Sequence, residues 1–141
     1  MAFRIAPKPK DSMIERSSGF VVAVVDDDQS ILRSLEQLLE SAGHAVRLFT
    51  SATALLDSGC LSEIDCLISD IDMLGMEGFE LLGRRIHAAR PALRTILITR
   101  YPERLSRLPP VGGIYPGLFT KPFQSQDLLA AVSDVLRHSR G

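Results

Sequence analysis

Val21-Val22-Ala23-Val24-Val25-Asp26-Asp27-Asp28 is the stretch on which the fold turns. A short apolar run dominated by β-branched valine is the signature of a strand buried on both faces, as in a parallel sheet. The positions that follow, Ile31, Leu32, Leu35, Leu38 and Leu39, form one apolar stripe on a helix. The aspartates therefore stand at the carboxyl end of a strand, in the turn into a helix, where open α/β sheets place their ligands. Clustered carboxylates repel one another unless a positive charge offsets them. A hard divalent cation with oxygen ligands, Mg2+, fits that need best. Asp28 alone also fits a helix N-cap, which accounts for one aspartate and not for three.

Working outward, the same alternation repeats. Ala45 to Phe49 is a second strand, after Gly43 placed as a helix stop. Ser51 caps a short helix ending near Ser58-Gly59. Cys66-Leu67-Ile68-Ser69 is a third strand that ends on Asp70. Phe79, Leu82, Ile86 and Ala89 give another helical stripe, stopped by Pro91. Thr95 to Thr99 is a fourth strand, and Gly117 to Thr120 a fifth that runs into Lys121-Pro122. Leu128, Leu129, Val132, Val135 and Leu136 mark a last helix. The expected fold is α/β: a doubly wound, five-stranded parallel sheet with helices on both faces and right-handed crossovers.

In such a sheet the strand ends share one edge. Asp26-Asp27, Asp70, Thr99 and Lys121 thus converge, bringing three acids, a hydroxyl and an ammonium together. Two acids can hold Mg2+ while the third acts as nucleophile toward phosphorus. The hydroxyl and ammonium then bind phosphoryl oxygens. Each residue alone is ordinary, and the signal lies in their succession along the strand ends.

Bulk properties narrow the class. A chain of 141 residues buries a core without staples. It has no apolar run long enough to span a membrane, and its N-terminus has no secretory h-region. Cys60 and Cys66 lie in no zinc pattern and are expected as reduced thiols in a cytoplasmic protein. Residues 1–19 have no periodicity and are expected as a flexible tail before a domain at 20–141. Net charge is only −1, but Phe20 to Glu80 holds twelve acids against Arg33 and Arg47. Leu81 to Lys121 inverts this, with eight bases against Glu103 alone. The acidic half suits a metal, and the basic half an acidic partner or nucleic acid, or arginines simply solvated on helix faces.

The segment Val25-Asp26-Asp27-Asp28, the segment Ser69-Asp70-Ile71-Asp72-Met73 with Gly78, the hydroxyl of Thr99 and Lys121-Pro122-Phe123 together resemble the receiver domain of two-component response regulators. The resemblance covers about Phe20 to Arg137. It implies a flavodoxin-like sheet in order 2-1-3-4-5. It also implies that Asp70 accepts a phosphoryl group from a histidine kinase or phosphotransfer protein. Asp27 would bind Mg2+ directly, Asp26 mainly through water, and the Asp72 backbone carbonyl would add a ligand. Lys121 would pair with phosphoryl oxygens before a cis bond to Pro122. The chain would be no enzyme beyond its own phosphorylation and dephosphorylation.

Departures from the family pattern fall around the output face. Arg100 replaces the small residue usual after the switch Thr99, and Leu74 replaces a proline four residues after the acceptor. Leu118 stands at the aromatic switch position, with Phe119 one place late. The segment Arg100 to Pro116 usually carries the family's fourth helix, yet it holds four prolines and two glycines. A short helix from Pro102 to Leu108 is expected, and a loop beyond Pro109. At the mouth of the site, Arg100 either pairs with Asp70 or Asp72 and, after phosphorylation, holds the phosphoryl group, or turns to solvent as one more base of the arginine-rich half.

Two alternatives remain on sequence grounds: a binding module that signals without phosphorylation, and a phosphohydrolase resembling the haloacid dehalogenase group. The second uses Asp26-Asp27-Asp28 as Asp-x-Asp but lacks a convincing acidic pair after Lys121. The expected output runs through a downstream protein partner or an output domain outside this chain, with a homodimer as a further option. No direct DNA binding and no membrane contact are expected.

Overall fold

The structure is a computed structural model, and it describes residues 20–72, 82–103 and 114–139. Five strands, β1 (Val21–Val25), β2 (Ala45–Phe49), β3 (Cys66–Asp70), β4 (Arg94–Thr99) and β5 (Ile114–Thr120), form one sheet in the order β2-β1-β3-β4-β5. All four pairings are parallel. The expected flavodoxin-like topology is therefore the observed one.

Two faces explain the apolar runs. Val22, Val24, Cys66, Ile68, Ile96 and Ile98 point to one side, where they meet α1 (Gln29–Ser41) and the C-terminal helix (Ser125–Ser139). Ala23, Val25, Leu67 and Leu97 point to the other, against α2 (Ala52–Ser58) and the helix before β4. A strand covered on both sides has no polar face, so alternation disappears and β-branched residues dominate. Gly43 and Gly59 both adopt positive φ after a helix, where a side chain would be strained.

The helix before β4 departs from its expected stripe. Leu82–Ile86 is wound as a π-helix and continues into α3 (His87–Ala89). Ile86 is buried as expected, but Ala89 is exposed and His87 is buried in its place. The wider π turn delays the helical rotation and brings His87 inward. Its Nε2 lies 2.7 Å from Thr95 Oγ1, a partner that makes the burial tolerable. Phe79, the first residue of that stripe, lies outside the described residues, as do Leu74, Gly78 and the N-terminal tail.

The second correction concerns β5. The strand starts at Ile114, earlier than expected, and contains Pro116. Between the pairs Arg94↔Ile114 and Ile96↔Gly117, β5 carries one residue more than β4. This bulge lies on an edge strand, the place in a sheet where a residue without an N–H is accepted. Pro102 and Glu103 form a short 3-10 turn, and the rest of the expected Pro102–Leu108 helix is outside the described residues.

Candidate functional site

The strand order places the ends of β1, β3, β4 and β5 side by side, and together they deliver five reactive groups. Asp26 and Asp27 follow β1, Asp70 and Thr99 close β3 and β4, and Lys121 follows β5. A cleft of about 320 Å³ opens there, lined by Asp27, Asp28, Asp70, Asp72, Arg100, Tyr101 and Lys121.

Lys121 is the electrostatic centre of the site. Its Nζ donates to Asp70 Oδ2 at 2.6 Å and to Asp26 Oδ2 at 3.3 Å. Burial works against the ammonium, but hydrogen bonds and charge from Asp70 and Asp26 outweigh it and hold its pKa above the ordinary lysine value. Asp26 is 1% exposed, and burial pushes its carboxyl up. The neighbouring Asp70 charge adds to this, while the Asp28 amide and Lys121 oppose it. The Lys121–Pro122 bond is cis, as the resemblance implies.

Asp26, Asp27 and Asp70 each present a carboxylate oxygen, and these oxygens lie within 4.8 Å of one another. Three carboxylates face one ammonium among the described residues here, which leaves an excess of negative charge. An all-oxygen, carboxylate-rich donor set with one member open to solvent fits a hard dication such as Mg2+. Asp28 does not belong to this triad. Its Oδ1 accepts from the Ser30 amide at 2.9 Å and the Ile31 amide at 3.4 Å, capping α1. The Ser30 amide is the main reason its carboxyl lies below the usual range. An Asp-x-Asp reading of Asp26 and Asp28 would thus draw on a carboxylate already committed to a helix end.

At the end of β4 the groups connect differently from expectation. The Thr99 hydroxyl donates to Asp72 Oδ1, and the Tyr101 amide donates to the Thr99 hydroxyl at 2.9 Å. Arg100 does reach Asp72, but through its backbone amide, 2.7 Å from Asp72 Oδ2. Its guanidinium makes no ion pair among the described residues, and Arg100 is an exposed residue of the cleft lining. The Asp72 carboxylate, expected only as a candidate partner of the Arg100 side chain beside its carbonyl's metal role, thus also holds the Thr99 hydroxyl. An acid two residues after Asp70, on the same sheet edge, was the signal available. Leu118 is 42% exposed, whereas Phe119 is half-buried with its ring 6.2 Å from Phe123.

Cys60 and Cys66 are free thiols, and burial pushes Cys66 up to about 12. Among the described residues, no helix is long and apolar enough to cross a membrane.

Residues 22–133 match the family described as the response regulator receiver domain. The chain is 34% identical over 118 residues to the transcriptional regulatory protein FixJ of Azorhizobium caulinodans, covering 84% of this chain and 56% of that protein. It is 32% identical to the response regulator protein TmoT of Ectopseudomonas mendocina, covering 83% of this chain and 53% of that protein. The chain thus spans about half the length of these curated relatives. Among solved structures, the signal receiver domain of an HD domain-containing protein from Pseudomonas fluorescens Pf-5 superposes with a TM-score of 0.72 at 31% identity, covering 85% of this chain and 96% of that one.

Proposed function

This chain belongs to the response regulator receiver domain family of two-component systems, and we propose that it accepts a phosphoryl group on Asp70 from the phosphohistidine of a kinase or phosphotransfer protein. The observation that carries the reading is Asp70 itself. It closes the central strand β3, is 4% exposed, accepts from Lys121 Nζ, and presents an oxygen within 4.8 Å of those of Asp26 and Asp27.

In the transfer an Asp70 carboxylate oxygen forms a bond to phosphorus while the N–P bond to histidine breaks. The electron pair leaves with the imidazole nitrogen, which takes up a proton. Lys121 supplies a fixed positive charge beside the attacking carboxylate and the incoming phosphoryl oxygens. Asp26, Asp27 and Asp70, with the Asp72 carbonyl, would hold Mg2+, which neutralises charge on the transferring group. The chain alters its own state and turns over no separate substrate. Its output passes to a protein partner or to an output domain beyond this segment.

Incubation with acetyl phosphate and Mg2+ tests the reading. The parent protein becomes labelled, and Asp70→Asn does not. Equal labelling of the two would remove Asp70 as the acceptor, and an unlabelled parent would favour a receiver that signals by binding alone.

A further inference from the structure

We propose that the Asp72 side chain is a carboxylate latch, which holds the Thr99 hydroxyl and the Arg100 amide in the unmodified chain and gives them up when a phosphoryl group arrives on Asp70. The inference rests on Asp70 being the acceptor and concerns what that event must displace.

One carboxylate ties the end of β3 to the end of β4. Asp72 Oδ1 accepts from Thr99 Oγ1, and Asp72 Oδ2 accepts from the Arg100 amide at 2.7 Å. The latch is itself anchored to the acceptor, because the Asp72 amide donates to Asp70 Oδ1 at 2.9 Å. Bonds to an ionised acceptor are the stronger kind, and Thr99 is fully buried, so water does not compete for its hydroxyl.

Competition follows from the inventory of protons. A threonine hydroxyl has one hydrogen, which it gives either to Asp72 or to a phosphoryl oxygen. The Arg100 amide likewise has one. A phosphoryl group on Asp70 also adds negative charge to a cleft that already holds Asp72 beside Asp27, Asp28 and Asp70. Both effects oppose phosphorylation while the latch is closed. Its release frees the Arg100-Tyr101 turn, in which Tyr101 is 43% exposed. Asp72 is accordingly a positioning residue that acts through Thr99 and Arg100.

The test uses Asp72→Ala and the near-isosteric Asp72→Asn, with beryllofluoride in Mg2+ as a phosphoryl mimic. Asp72→Ala binds the mimic roughly tenfold more tightly than the parent, the scale of one charged hydrogen bond, and Asp72→Asn falls between. In a Thr99→Val background the gain from Asp72→Ala largely disappears, as coupled residues require. Amide exchange at Arg100, read in the absence of any mimic, speeds up in Asp72→Ala. Unchanged exchange at Arg100 overturns the latch. Faster exchange with no gain in affinity, in a chain whose parent binds the mimic, overturns the competition and leaves the acceptor reading intact. A parent that binds no beryllofluoride overturns the acceptor reading, and the competition with it.

Discussion

Lys121 Nζ lies 2.6 Å from Asp70 Oδ2, so the ammonium that follows β5 directly neutralises the carboxylate that ends β3. The pair is nearly buried, with side-chain exposures of 9% and 5%. Removing one member of such a pair leaves the other charged and desolvated, which costs more than the pair itself contributes.

Lys121→Met is therefore expected to destabilise the metal-free protein by about 3 kcal/mol. Added Mg2+ should recover part of the loss, because a dication can neutralise Asp26 and Asp70 in the ammonium's stead. Urea unfolding with and without Mg2+ measures both. A metal-free variant as stable as the parent would show that Lys121 does not neutralise the cluster.

Asp26 gives a prediction with the opposite sign. Its pKa is raised by burial, so the unfolded chain ionises first. Stability linked to Asp26 is complete below the ordinary carboxylate range and is lost as pH rises through the folded pKa. At neutral pH the buried charge is a cost. Asp26→Asn keeps an oxygen for the Asp28 amide, which bonds Asp26 Oδ1 at 2.9 Å, and removes the charge. It should raise Tm in metal-free buffer at pH 7 by roughly 3 °C, an advantage that fades as the pH falls into the carboxylate range. A lower Tm at pH 7 would contradict the assignment.

Metal binding to the folded state should stabilise it by mass action, by about 1.4 kcal/mol when Mg2+ stands at ten times its Kd. Asp27→Ala and Asp26→Asn should both shrink that response. Melting curves of the parent that ignore millimolar Mg2+ would count against a site at Asp26, Asp27 and Asp70.

The two thiols should separate kinetically. Thiolate is the reactive form, and burial holds Cys66 up at about 12. Ellman's reagent at pH 8 should modify the half-exposed Cys60 quickly and Cys66 only upon unfolding. Cys60→Ser should abolish the fast phase. The same raised pKa means that stability from keeping Cys66 neutral is complete below the ordinary thiol range and is lost as pH climbs toward 12.

Arg100→Ala separates backbone from side chain. The amide bond to Asp72 survives the substitution, whereas the guanidinium of this cleft-lining residue is lost. A guanidinium fork can bind two phosphoryl oxygens at once and crowd out water. The variant should still be labelled on Asp70 but lose the phosphoryl group roughly threefold faster, a difference of under 1 kcal/mol. An unchanged half-life would make Arg100 a surface residue.

Much of this architecture is written locally. Valine-rich runs and leucine stripes encode β1, α1 and the C-terminal helix, because burial on both sheet faces and on one helix face leaves a periodicity that neighbours in sequence suffice to show. Since parallel strands share one edge, the acids, hydroxyl and lysine at successive strand ends also announced a common site. What each aspartate does was a different matter. Asp26, Asp27 and Asp28 are chemically alike. The turn into a helix allowed Asp28 as its N-cap, and the folded chain decides the choice by bonding Asp28 to the Ser30 amide of α1 while bringing Asp26 and Asp27 to Asp70. The inward turn of His87 depended on a π turn and on Thr95 across the interface, and the place of Pro116 depended on β5 being an edge. The bond from Thr99 to Asp72 joins residues 27 positions apart. Periodicity records how much of a residue is buried; which partner it meets there is decided by strand order and register, and those belong to the tertiary structure.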